Sequence, residues 1–153
     1  MSKGKVIGGS VAAVLLAAAA LIKPWEGREL EPYRDIVGVL TVCYGDTQDV
    51  EQRRYSVVEC EQRLQSDLGR RLVALTQCVN RPLPENEWAA VLSLAYNVGT
   101  GAVCNSTLVR KINEGQPASV WCYELLRWNR AGGREVRGLT NRRKAELAVC
   151  LGK

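Results

Sequence analysis

The sequence predicts an α+β protein: a small N-terminal sheet lobe, then a mostly helical lobe, with an apolar helix ahead of both. Three observations lead there. Val6–Ile22 is an uncharged apolar run, β-branched residues cluster between Tyr33 and Gly45, and beyond Ser56 apolar residues recur every three or four positions. A chain of 153 residues, 46% hydrophobic and 24% charged, has ordinary globular composition and room for one domain with a core of its own.

The N-terminal run, VIGGSVAAVLLAAAALI, comes after Lys3 and Lys5 and closes at Lys23 and Pro24. As a helix rising about 1.5 Å per residue it spans roughly 26 Å, just short of a hydrocarbon core of about 30 Å. The leading lysines place the chain beyond Lys23 outside the cytoplasm. Nine of the 17 residues are Ala, Gly or Ser, so burial in lipid stabilises the helix weakly and it can insert, hold the chain and later leave. Ala17–Ala20 also offers small-residue sites for cleavage of a signal peptide, and retention is the favoured reading. Either way the domain is exported.

Pro24 is expected to end that helix. From Tyr33 to Gly45, Ile36, Val37, Val39, Thr41 and Val42 surround Gly38, the pattern of a small hairpin or sheet. Ser56 with Glu59 makes a capping box for a long helix whose stripe is Leu64, Leu68, Leu72 and Leu75. Pro84–Gly99 reads as a buried helix with Trp88, Val91, Leu92 and Ala95 on its core face. Ser106 caps a short helix ending at Gly115, another runs near Pro117–Trp128, and Gly132–Gly133 is a loop. Thr140 is expected to cap the last helix.

Composition excludes several chemistries. With no His in the chain, imidazole-ligated zinc hydrolases and Ser–His or Cys–His triads are ruled out, and no metal or cofactor is expected. Six dispersed cysteines, Cys43, Cys60, Cys78, Cys104, Cys122 and Cys150, form no tight metal-ligand pair and read as a disulfide framework made outside the cytosol. The net charge of +5 suits an anionic polymer such as a cell wall. Nucleic acid is not the expected partner, because the basic residues gather only at Arg142–Lys144.

Metal-free cleavage of a glycosidic bond needs a protonated acid for the leaving oxygen and a second group to handle water. Glu26, Asp35 and Thr41 are the candidates. Glu26, beside Trp25 and the apolar run, is expected to have its carboxyl raised by desolvation and to act as general acid. Asp35, kept ionised, would hold the attacking water together with the Thr41 hydroxyl. Asp35 and Thr41 are six apart, which puts both on one face of an unbroken strand; a turn at Gly38 would instead set them opposite each other.

The segment WEGRELEPYRDIVGVLTVCYGDT, Trp25–Thr47, resembles the active-site signature of the phage-type lysozymes, glycoside hydrolase family 24. That signature is a Glu, eight residues, an Asp or Cys, five residues and a Thr, matched here by Glu26, Asp35 and Thr41, with Gly27, Tyr33, Gly38 and Gly45 in family positions. The stretch from Pro84 to Gly115 resembles the family's helical core. Arg127–Leu147 resembles its closing segment, with Trp128, Gly133, Gly138, Leu139, Arg142, Arg143 and Glu146 as fold markers. The apolar run resembles the signal-arrest-release segments of lambdoid endolysins.

The resemblance implies a lysozyme-like fold and a bacteriophage endolysin. Such an enzyme is a muramidase that hydrolyses the MurNAc–GlcNAc bond of peptidoglycan to lyse the host. It implies residues 1–23 as a release helix and 24–153 as the muramidase domain. The monomeric chain would sit in the host inner membrane through residues 6–22, facing the periplasm, and then become soluble there. Thr47 and Asn97 are substrate-contact candidates from position. Two departures stand out: Asp46 replaces a frequent His, and no Cys precedes Cys43, so activation by thiol exchange from the membrane segment has no partner. The favoured disulfides are Cys43–Cys60, Cys78–Cys104 and Cys122–Cys150. The rival readings are a lytic transglycosylase and a non-enzymatic wall-binding protein.

Overall fold

The computed structural model describes residues 7–153 and is a mixed fold of helices with three two-stranded sheets. The apolar run supplies helix α1, Val11–Glu26, shorter than the run itself at its N-terminal side. Gly8 and Gly9 are poor helix formers, and Ser10 starts the helix by accepting a hydrogen bond from Ala13 N–H. Strand β1, Ile7–Gly8, pairs in parallel with β4, Leu83–Pro84; Met1–Val6, with Lys3 and Lys5, lie outside the described residues.

Pro24 lies inside α1 and does not end it. The carbonyl that loses its donor is that of Ala20, an exposed position where water can replace the lost bond, and the helix stops shortly afterwards at Gly27, φ 66°. The helix therefore crosses the expected boundary between residues 23 and 24. Its buried stripe is Val14, Ala18, Ala19 and Ile22, packed chiefly on α3 (Glu85–Val98) and then on α2 (Val57–Leu75). Among the described residues no helix is long and apolar enough to cross a membrane.

After Gly27 the chain forms the antiparallel hairpin β2–β3, Glu29–Arg34 with Leu40–Cys43, turning at Gly38, φ 84°. A capping box at Ser56 and Glu59 opens α2, whose Leu64, Leu68, Leu72 and Leu75 are all buried, each contributing about 2 kcal/mol of transfer free energy. Helix α3 is buried from Trp88 through Ala95 without a polar face, the pattern of a central helix. Short helices α4, Thr100–Cys104, and α5, Thr107–Asn113, come next, the latter capped by Ser106.

Two further expectations are corrected. The helix near Pro117–Trp128 is divided into α6, Ala118–Trp121, and a 3₁₀ segment, Cys122–Arg127, which turns Glu124 inward to Lys111 at 2.7 Å. The last helix, α7, Arg137–Cys150, begins before Thr140 and has no side-chain cap. The hairpin β5–β6, Arg130–Ala131 with Arg134–Glu135, delivers Val136 directly into the helix, and the Thr140 hydroxyl accepts from Asn129 Nδ2 instead.

Three disulfides join Cys43–Cys60, Cys78–Cys104 and Cys122–Cys150, the favoured pairs. The first clips the hairpin to α2 and the last clips the 3₁₀ segment to the end of α7. Each closed loop contributes on the order of 3 kcal/mol in the chain-entropy account.

Candidate functional site

A polar cleft of about 190 Å³ opens where α1, α2, α3 and the loop after β3 meet. Its walls are Glu26, Gly45, Asp46, Thr47, Gln48, Asp67, Arg71, Tyr96 and Asn97. Each comes from an element end or a helix face already fixed by packing. Glu26 is the last residue of α1, so the helix that buries Ile22 one turn earlier also aims this carboxylate. The loop can pass behind it because Gly45 adopts φ 79°, a left-handed conformation that disfavours other residues.

The surroundings of Glu26 are ionic, where the sequence predicts an apolar pocket. Arg142 Nη1 of α7 donates to Glu26 Oε1 at 2.7 Å, with the arginine side chain 5% exposed and the glutamate 21%. The reason is that α7 carries few apolar residues on its inner side and turns Arg142, Arg143 and Glu146 toward the core. Facing Glu26 across the cleft is Tyr96, whose hydroxyl is pushed well up, first by burial and then by the negative charges of Glu26 and Asp67. That hydroxyl donates to the Tyr44 carbonyl. Arg71 lies over the Tyr96 ring at 5.1 Å, pairs with Asp67 at 3.0 Å and donates to the Ala95 carbonyl. Asp46 is held by Arg63 at 2.7 Å. The cleft thus has fixed charges of both signs, as a polar sugar or peptide ligand requires.

A second tether fixes the same end of α1. Lys23, one turn before Glu26, pairs with Glu61 of α2, and the Tyr44 hydroxyl donates to Glu61 at 2.6 Å. Burial opposes ionisation of Glu61, but Lys23 and the Tyr44 hydroxyl outweigh it and hold the carboxyl below its ordinary range.

Of the residues singled out in the sequence, Glu26, Thr47 and Asn97 share this cleft. Asp35 and Thr41 are not among its walls. They lie in the β2–β3 hairpin, where Tyr33 is the residue opposite Thr41 and Asp35 pairs through its backbone with Val39. Both nevertheless converge on one residue's backbone. Asp35 Oδ1 accepts from the N–H groups of Val37 and Val39, at 3.0 and 2.9 Å, and the buried Thr41 hydroxyl donates to the Val39 carbonyl at 2.9 Å. The residues missed in the sequence are Arg142, Arg71, Tyr96 and Asp67. For Arg142 a signal existed: Arg142, Arg143 and Glu146 occupy one face of a helix that lacks an apolar stripe to put in their place.

The profile of the family described as phage lysozyme matches residues 23–146. The SAR-endolysin of Enterobacteria phage P21 is 39% identical over 150 residues, which cover 95% of this chain and 90% of that protein. Among solved structures, the muramidase domain of SpmX from Asticaccaulis excentricus superposes with a TM-score of 0.79 at 26% identity, covering 93% of this chain and 96% of that one. A P22 lysozyme mutant superposes with a TM-score of 0.78 at 27% identity, covering 93% and 97%.

Proposed function

The chain belongs to the phage lysozyme family, and on that premise we propose that it is a phage endolysin, a muramidase that cleaves peptidoglycan between MurNAc and GlcNAc. The observation that carries this reading is the placement of Glu26, at the tip of α1, in a polar cleft and against a buried arginine. Glu26 donates its proton to the glycosidic oxygen as the bond to the anomeric carbon breaks. Arg142 fixes the carboxyl in place.

Asp35 and Thr41 handle the water. One Asp35 oxygen is committed to the hairpin amides, which leaves the other to accept a water proton. The Thr41 hydroxyl spends its own proton on the Val39 carbonyl, which leaves its oxygen to act toward the attacking water as an acceptor. Two acceptors on one water orient its lone pair toward the anomeric carbon. Thr47 and Asn97 line the cleft as sugar contacts.

Control resides in α1. In the packed protein Val11 and Leu16 of this helix stay exposed, Leu16 to 65%, an apolar face suited to lipid. The chain is held at the inner membrane by this segment and becomes a soluble, monomeric periplasmic enzyme when the helix leaves the bilayer and docks on α3. Glu26 lies four residues after Ile22, so docking is also what brings it to Arg142. The relatives' designation as SAR-endolysins supports this reading.

The test is digestion of purified peptidoglycan by the full chain and by Glu26→Gln, with mass spectrometry of the sugars. The parent is expected to release reducing MurNAc ends, and the variant to lose at least ~100-fold of that activity while remaining folded by circular dichroism. Anhydro-MurNAc ends would identify a transglycosylase, and full activity in Glu26→Gln would refute the assignment of the acid.

A further inference from the structure

Behind the cleft the charges continue past Arg142 into the core, to Glu146 and Arg143, which the proposed reaction does not use. Arg142 Nη1 reaches Glu26, while its Nε lies 3.5 Å from Glu146 Oε1. Glu146 is fully buried and has two other partners: Arg143, at 2.9 Å, and Ser93 of α3, whose hydroxyl donates to Oε1 at 2.7 Å. One guanidinium is therefore hydrogen-bonded to the cleft carboxylate and within ion-pair distance of the core one, to which its Nε makes no hydrogen bond. A salt bridge alone would need no such sharing, and Arg143 already neutralises Glu146.

We infer that Glu146 is a positioning residue for the acid: it competes with Glu26 for Arg142 and so sets how firmly the cleft carboxyl is held. The inference rests on the proposed role of Glu26. Burial pushes the Glu146 carboxyl up, against Arg143, Ser93 and Arg142; in its ionised form part of the Arg142 charge is spent inside the protein and Glu26 can take up the proton it must deliver. Without that charge, two arginines would face one carboxylate, and the anionic form of Glu26 would be favoured. The other charged and titratable groups facing Glu26 are Arg143 from α7, Tyr96 from α3, Asp67 and Arg71 from α2, and Asp46 from the loop. Of these only Arg143 is a partner of Glu146; the others are held by the Tyr44 carbonyl, by each other and by Arg63.

A general acid works only while protonated, so favouring its anion moves the alkaline limb of the kcat/KM profile to lower pH. Glu146→Gln is expected to move that limb down by about one pH unit. Ser93→Ala keeps both arginines and removes the hydroxyl that supports the Glu146 anion. The buried carboxyl is then more readily neutral and draws less on Arg142, so the limb is expected to move the same way, to lower pH, by a smaller amount. Ser93→Ala creates no uncompensated charge, so it remains a test even where Glu146→Gln does not fold.

The experiment measures pH profiles of the full chain and both variants on purified peptidoglycan, with a ¹³C NMR titration of the Glu26 carboxyl as a readout that needs no substrate. Displacements in the same direction, larger in Glu146→Gln than in Ser93→Ala and seen in both readouts, are the expected result. Profiles and titrations that superimpose on the parent's, with only the melting temperature lowered, would overturn the inference and leave Glu146 a purely structural residue. Full activity in Glu26→Gln would sink the function reading itself, which separates the two failures.

Discussion

Helices α1 and α3 pack on each other, yet they stand in different relations to the core. They are 16 and 14 residues long, and each has an apolar middle containing alanines. Every residue of α3 from Trp88 to Ala95 is buried. Helix α1 buries only the stripe Val14, Ala18, Ala19 and Ile22, and leaves Val11, Ala12, Leu16 and Ala20 outside. A helix apolar all round can exist only inside something, and for α3 that is the protein. For α1 the protein supplies half of an apolar surrounding. Undocking would expose Val14, Ala18 and Ile22 and part Lys23 from Glu61 and Glu26 from Arg142, while the uncovered leucine and valine of α1 match a second solvent.

Truncating the centre of α3 should have the largest effect on stability. Trp88→Ala removes a fully buried indole and is expected to cost about 4 kcal/mol, read as a shift in denaturant midpoint. On α1 the sensitive change is enlargement. Ala18 has no accessible surface, and Ala18→Leu is expected to cost about 2 kcal/mol by overpacking the seam with α3. A neutral Ala18→Leu, by the same denaturation measurement, would mean that the two helices are loosely seated. Changes on the outer face of α1 should leave folded stability within about 0.5 kcal/mol, because nothing there is packed.

The features legible in the sequence are local. The Glu26–Asp35–Thr41 spacing, the Ser56–Glu59 capping box and the leucine stripe of α2 each lie within a few turns of chain, where periodicity and hydrogen-bond geometry act directly. The cleft is different in kind. Its arginine comes from 116 residues away from Glu26, and no spacing rule connects them. Arg142, Arg143 and Glu146 were legible as family markers, and their sharing one face of a helix without an apolar stripe was the local sign that they turn inward, against the ordinary rule that charges face water. Thr140 had the right chemistry for a cap, and the preceding hairpin set the start of α7 elsewhere. Pro24 failed as a stop because the bond it removes falls on the solvent side of a helix already about to end.

The outer face of α1 allows the two solvents to be separated experimentally. Ala12→Leu with Ala20→Leu adds apolar surface at exposed positions, favouring lipid without entering the packed seam. The measurement is the fraction of full-length chain in the membrane and in the soluble periplasm before and after collapse of the membrane potential, for the parent and this double variant, alongside the time of lysis. The parent is expected to move to the soluble fraction as lysis begins. The variant is expected to stay with the membrane and delay lysis, although once purified it cleaves peptidoglycan as well as the parent. Prompt release and prompt lysis by the variant would contradict control by the docking of α1.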